Sequence, residues 1–139
     1  MKKPLELGGL DHVVLRVRDI AAMLEFYGEI LGCRLAKHNE PLGLYHLDAG
    51  GSMIDLVTLD GNLGQAGGAG PGPDLASGGR NVDHIALKIH NFDPRAIRAY
   101  LSSHGIQSGE AVTRFGAEGD GPSIYLTDPE GNGVELKGV

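Results

Sequence analysis

One stretch of this chain is written twice. Leu10-Asp11-His12-Val13-Val14-Leu15-Arg16-Val17-Arg18-Asp19-Ile20 lies over Val82-Asp83-His84-Ile85-Ala86-Leu87-Lys88-Ile89-His90-Asn91-Phe92, each residue meeting its counterpart 72 places on (His12 at His84). Acid, histidine, apolar residues, base and turn-former recur in nearly the same order. In a chain of 139 residues, such a duplication implies two copies of one supersecondary unit within a single domain. Glycine marks the join. The 23 glycines are spread unevenly, and the Gly/Pro-rich run over 60–81 separates module 1 (about 8–59) from module 2 (about 82–139). Such a density of glycine and proline predicts neither helix nor central strand, so the run reads as a tether. Fully extended it spans about 70 Å, enough to pair the modules within one chain or to exchange them between two.

Each copy has a local reading. The first segment alternates and is rich in β-branched residues, which predicts a strand. Val13, Leu15 and Val17 share one face of it and His12, Val14 and Arg16 the other, and Ile85, Leu87 and Ile89 stand likewise against His84, Ala86 and Lys88. A helix follows each strand. Asp19 caps the first, whose stripe runs through Met23, Leu24, Tyr27 and Leu31 to a stop at Gly32; Asp93 and Pro94 open the second, which ends at Gly105. Three more strands are expected in each half, near 34–38, 43–49 and 52–59, then near 106–113, 122–128 and 133–138. The order βαβββ, twice, places the chain in the α+β class. With helices covering the apolar strand faces, the histidine faces look the other way.

The last strands of the two halves also correspond: Ile54-Asp55-Leu56 matches Val134-Glu135-Leu136. His12, Asp55, His84 and Glu135 are therefore predicted on inner sheet faces, one imidazole and one carboxylate per half. An isolated carboxylate there is expensive to desolvate, and two together repel. A divalent cation offsets both penalties by taking neutral imidazole nitrogen and anionic oxygen at about 2.0–2.2 Å. A hydrogen-bonded pair, such as His12 with Glu135, is the other solution. His38, His46 and His90 fall outside the repeat correspondence and read as surface or rim residues.

Composition narrows the function. Eighteen acidic against twelve basic residues, net charge −6, argue against nucleic acid or an anionic membrane as partner. One cysteine, Cys33, excludes a disulfide framework and a multi-thiolate zinc site within one chain, and its place at a helix exit gives no cause for an activated thiolate. The run Gly67-Gly68-Ala69-Gly70 lacks the lysine of a phosphate loop. No apolar stretch approaches the roughly 20 residues of a membrane span, and no secretory signal opens the sequence, so a cytoplasmic location is expected.

Taken in order, Leu10-Asp11-His12-Val13, Glu25-Phe26-Tyr27-Gly28-Glu29-Ile30-Leu31-Gly32, Val82-Asp83-His84-Ile85-Ala86-Leu87 and Tyr125-Leu126-Thr127-Asp128-Pro129-Glu130-Gly131-Asn132-Gly133-Val134-Glu135-Leu136 resemble the vicinal oxygen chelate superfamily, the glyoxalase, bleomycin-resistance and extradiol-dioxygenase group. The resemblance implies that two βαβββ modules form a curved eight-stranded mixed sheet, a half-barrel with its helices outside. It implies a metal held by His12, Asp55, His84 and Glu135, with Zn, Ni, Mn or Fe as candidates, and usually a homodimer. Asp55 departs from the usual Glu, Gln or His and is one methylene shorter than Glu, which leaves open a three-ligand set of His12, His84 and Glu135.

The chemistry so implied is lyase or isomerase action on a small oxygenated or thiol-adduct substrate, chelated through adjacent oxygens. Glu135 is then the expected ligand and base, with Asp55 as alternate base. The alternatives are an Fe(II) extradiol-dioxygenase-like site, a non-catalytic ligand-sequestering protein, or an antibiotic thiol transferase. Arg16, Lys88 and Tyr125 share parity with the ligands and are candidate substrate contacts. Arg114 joins them from the Thr113-Arg114-Phe115-Gly116-Ala117-Glu118-Gly119 stretch, read as a glycine-hinged lid.

Overall fold

The computed structural model describes residues 3–67 and 82–139. Module 1 comprises β1 (His12–Val17), α1 (Ile20–Leu24), β2 (Arg34–Asn39), β3 (Leu44–Asp48) and β4 (Met53–Thr58), followed by a short α2 (Asn62–Ala66). Module 2 comprises β5 (His84–Ile89), α3 (Pro94–Ser103), β6 (Val112–Gly116), β7 (Gly119–Thr127) and β8 (Gly133–Gly138). The strands form two four-stranded sheets, ordered β1-β4-β3-β2 and β5-β8-β7-β6. In both, the first strand runs parallel to the last and the other neighbours are antiparallel.

The α+β class and the paired βαβββ units are as expected, but within this chain the eight strands do not join into one sheet. Alternation fixes which face of a strand is apolar and says nothing about which strand edges meet. Here β1 and β5 are each an edge of their own sheet. The modules meet on their helical sides instead. One core takes Val17, Met23, Phe26, Tyr27, Leu47, Ile54 and Leu56 from module 1 together with Leu101, Leu126, Val134 and Leu136 from module 2. The inner faces, with exposed His12, Val14 and Arg16 on β1 and exposed His84, Ala86 and Lys88 on β5, turn away from it.

The helix caps are those expected: Asp19 Oδ1 accepts from Ala22 N at 3.0 Å and Asp93 Oδ1 from Ala96 N at 3.1 Å. After α1 the helix widens into a π-helical turn over Glu25–Ile30 that buries the consecutive rings of Phe26 and Tyr27. It stops at Gly32, whose φ of +86° suits a residue without Cβ. Polar groups also cross between the modules. The buried Tyr27 hydroxyl donates to Asp128 Oδ2 at 2.7 Å. Asp128 Oδ1 in turn accepts from the backbone nitrogens of Glu130 and Asn132, both at 2.9 Å. That turn carries the Glu130 carboxylate to the start of α1, where it accepts from Arg18 N and Asp19 N.

Two expectations are corrected. The glycine-rich run, expected to hold no helix, does hold one: α2 forms over Asn62–Ala66, with Gly64 so close to β4 that a Cβ there would lie 1.8 Å from the Thr58 carbonyl oxygen. The remainder of the glycine-rich run, 68–81, lies outside the described residues. Arg114 is not on a lid loop; it sits in β6, paired with Gly121 of β7 in a hairpin that turns at 117–118. No helix among the described residues is long and apolar enough to cross a membrane.

Candidate metal centre

β1 and β4 lie side by side in register, with Val14 opposite Asp55, so the His12 and Asp55 side chains emerge on one face. The same pairing of β5 with β8 sets Ala86 opposite Glu135 and brings His84 to it. His12 Nε2 stands 4.0 Å from Asp55 Oδ2, and His84 Nε2 stands 3.0 Å from Glu135 Oε2. Both carboxylates are buried, Asp55 at 4% exposure and Glu135 at 5%. The alternative of a His12–Glu135 hydrogen-bonded pair is not the one formed: each histidine faces the carboxylate of its own module.

The residue before each histidine completes the pattern. Asp11 Oδ1 lies 2.6 Å from His12 Nδ1, and Asp83 Oδ1 lies 2.7 Å from His84 Nδ1. A carboxylate only accepts, so Nδ1 carries the proton in both rings and Nε2 is turned toward the second acid. The Asp83 hydrogen bond, with help from the Glu135 charge, raises the His84 pKa above its ordinary 6.5. The Asp11 hydrogen bond and the Asp55 charge raise that of His12 in the same way. Nε2 facing a second carboxylate has two resolutions: it takes a proton as imidazolium, or the two groups share a cation.

The donor types suit a cation. Ligands about 2.1 Å from a metal stand about 3.0 to 3.4 Å apart between right-angled and tetrahedral geometry. The His84–Glu135 separation of 3.0 Å, which is also that of an ion-paired hydrogen bond, is at the short end of that range. A carboxylate on the far ring nitrogen is the usual support of a metal-binding histidine. The 4.0 Å gap at His12 and Asp55 is wider, as the short aspartate side chain dictates. Among the described residues, no three His, Cys, Asp or Glu side chains gather closely enough to hold an ion. The chain thus presents two half-sites of two donors each. The expected convergence of all four donors is not formed within the single chain.

His46, read from the sequence as a rim residue, belongs to the first half-site. It stands opposite Asp55 in the β3–β4 register, with Nδ1 2.9 Å from Asp55 Oδ1. Its counterpart in module 2 is Tyr125, opposite Glu135, so the duplication carries no second histidine to mark it. His38, exposed and stacked on Tyr45 with ring centroids 4.0 Å apart, and exposed His90 remain at the surface. Buried Cys33 has its thiol pKa pushed up by desolvation, the opposite of activation.

The candidate substrate contacts divide between the halves. Arg16 donates through Nη2 to the Gly64 carbonyl at 2.9 Å, which ties it to α2. Lys88 pairs with Glu118 at 2.8 Å, an ion pair that holds the Glu118 carboxyl below its usual range. Tyr125 lies opposite Glu135 across β7 and β8, with its ring edge-on to His84 at 5.7 Å. The Arg114 guanidinium sits 5.8 Å from the Tyr125 ring centroid, within cation–π range. Module 2 therefore gathers His84, Glu135, Tyr125 and Arg114 on one surface. Ser123 of β7 joins them by donating from Oγ to Glu135 Oε1 at 2.5 Å.

Known proteins share this arrangement of modules. An integron cassette protein from the mobile metagenome of V. cholerae superposes with a TM-score of 0.70 at 26% identity, covering 96% of this chain and 97% of that one. A virulence protein from Salmonella typhimurium gives a TM-score of 0.71 at 24% identity, over 96% and 98% of the two chains. The lactoylglutathione lyase of Agrobacterium tumefaciens gives 0.62 at 19% identity, over 98% and 96%, a likeness of fold alone. In sequence, the glyoxalase domain-containing protein RDO1 of Mycosarcoma maydis is 31% identical over 136 residues, which are 97% of this chain and 70% of that protein. The family model of the Glyoxalase/Bleomycin resistance protein/Dioxygenase superfamily matches residues 9–136, nearly the whole duplicated span, and the chain belongs to that superfamily.

Proposed function

We propose that this chain is a divalent-metal-dependent lyase or isomerase of the glyoxalase type, acting on a small oxygenated or thiol-adduct substrate. The observation that carries the reading is the repeated triplet of acid, histidine and acid: Asp83–His84–Glu135 and Asp11–His12–Asp55, with a buried carboxylate facing Nε2 each time. Each triplet supplies two donors, so we further propose a homodimer in which the half-site of one copy meets the other half-site of its partner. The exposure of His12, Val14 and Arg16 on β1 and of His84, Ala86 and Lys88 on β5, the edge strands of their sheets, supports that arrangement.

A bound Zn, Ni, Mn or Fe ion would supply Lewis acidity to two adjacent substrate oxygens. The protein residues do the rest. Asp11 and Asp83 fix the ring orientations. Glu135 is the base that takes a proton from carbon and returns it to the neighbouring carbon, with Asp55, further from its histidine, as the alternate base. Tyr125 is placed to donate a hydrogen bond to the substrate, and Arg114 brings a positive charge to the same surface for an anionic group.

Metal analysis of protein purified without added ions tests this reading, together with Asp55→Ala and Glu135→Ala. The wild type is expected to carry a transition metal or to gain thermal stability from Zn, Ni, Mn or Fe, and both variants are expected to lose it. A wild type that neither holds nor responds to any of them overturns the metal-dependent reading and leaves a ligand-sequestering protein. Metal retained by Asp55→Ala but lost from Glu135→Ala selects the three-ligand set His12, His84 and Glu135. That facial set suits an Fe(II) oxygenase.

A further inference from the structure

We infer that His46 and Ser123 are positioning residues that aim the two carboxylates of the candidate metal centre, each by holding one oxygen so that the other is left facing the histidine. This rests on the four-ligand reading above. In each half one carboxylate oxygen is tied back and the other faces the histidine. His46 Nδ1 lies 2.9 Å from Asp55 Oδ1, leaving Oδ2 toward His12 Nε2; Ser123 Oγ donates to Glu135 Oε1 at 2.5 Å, leaving Oε2 toward His84 Nε2. The work is the same and the residues differ, because the carboxylates differ in length.

The strand register shows how. His46 stands directly opposite Asp55, whereas Ser123 stands opposite Lys137 and reaches Glu135 on the diagonal. In module 1 the place corresponding to Ser123, opposite Val57, is taken by Leu44, which has no side-chain hydrogen-bonding group. In module 2 the place corresponding to His46 is taken by Tyr125, opposite Glu135. A long acid is thus held by a short hydroxyl from the diagonal, and a short acid by a long imidazole from directly across. Asp55 Oδ1 has only the imidazole of His46 as side-chain hydrogen-bond donor among the described residues. Without it the buried carboxylate is free to rotate away from His12.

The test measures Zn(II) affinity on the purified full chain by competition with a chromophoric chelator, beside the thermal unfolding of the metal-free protein. His46→Phe and Ser123→Ala are each expected to weaken Zn(II) binding about 10- to 100-fold, the usual loss when the support of a metal ligand is removed. His46→Asn, whose amide nitrogen falls near the position of Nδ1, is expected to recover most of that loss. Metal-free unfolding temperatures close to wild type separate positioning from general damage to the fold. The inference is overturned if His46→Phe and Ser123→Ala bind within about twofold of the wild type, or if His46→Asn binds as weakly as His46→Phe. A wild type that binds no Zn(II), Mn(II) or Ni(II) overturns the four-ligand reading itself and takes the inference with it.

Discussion

An imidazole whose Nδ1 already donates to one acid has a single nitrogen left, and in both halves of this chain that nitrogen is turned toward a second acid. In the metal-free protein this arrangement favours the imidazolium, hence the raised pKa of His84. A histidine with a folded pKa above its unfolded 6.5 contributes stability that is complete below about pH 6.5 and lost as pH rises through the folded value. Metal-free protein is therefore expected to become less stable as pH rises above 6.5, and Asp83→Asn to lower the His84 pKa toward 6.5 and flatten that slope. NMR titration of the imidazole and urea unfolding at several pH values check the two statements. An unchanged His84 pKa in Asp83→Asn would show that the neighbouring acid does not hold the ring. The four donors were legible in the sequence because strand alternation has period two and the pattern occurs twice. His46 was not, since its counterpart Tyr125 is another residue type and its work is done in module 2 by Ser123, from a different strand position.

At the scale of elements, alternation and capping residues forecast strands and helices well, while close backbone approach was invisible. Asp19, Asp93 and Gly32 perform the roles that their types announce. Gly64 instead reads as one more glycine in a flexible run, although it lets α2 lie against the Thr58 carbonyl and gives Arg16 an acceptor. Arg114 was read into a loop because glycines flank it, yet β6 closes on β7 through those same residues. The Asp128-to-Gly133 turn is a joint between the modules. Asp128 holds Tyr27 from module 1, and Glu130 accepts the first backbone nitrogens ahead of α1. Tyr27→Phe removes a buried hydrogen bond to a charged group and is expected to cost about 1.5–3 kcal/mol. Glu130→Ala leaves two backbone nitrogens at the helix start without their carboxylate and is expected to cost about 0.5–2 kcal/mol, as the loss of a cap does. Urea unfolding measures both, and a Tyr27→Phe protein as stable as the wild type would remove Asp128 from the account of how the modules are held.

For the whole molecule, the decisive point is which faces the single chain uses up. Both helical faces are spent on the shared core, while on the inner faces the edge strands β1 and β5 leave His12 and His84 exposed beside buried Asp55 and Glu135. Two donors alone hold a cation weakly, whereas in the proposed dimer four donors from two copies would make a full site, and metal affinity would then be linked to dimerisation. The proposed pairing makes a prediction that no arrangement within one chain shares. In a dimer, each centre would combine His12 and Asp55 of one copy with His84 and Glu135 of its partner. His12→Ala and His84→Ala homodimers then lack any complete site. A mixed dimer of the two variants has one centre missing both histidines and one centre with all four donors intact. Mixing the two proteins under conditions of subunit exchange is expected to restore tight Zn(II) binding at one ion per mixed dimer, read by competition and by sedimentation of the metal-loaded species. If binding is not restored although exchange is demonstrated with differently tagged copies, the half-sites do not meet across two chains.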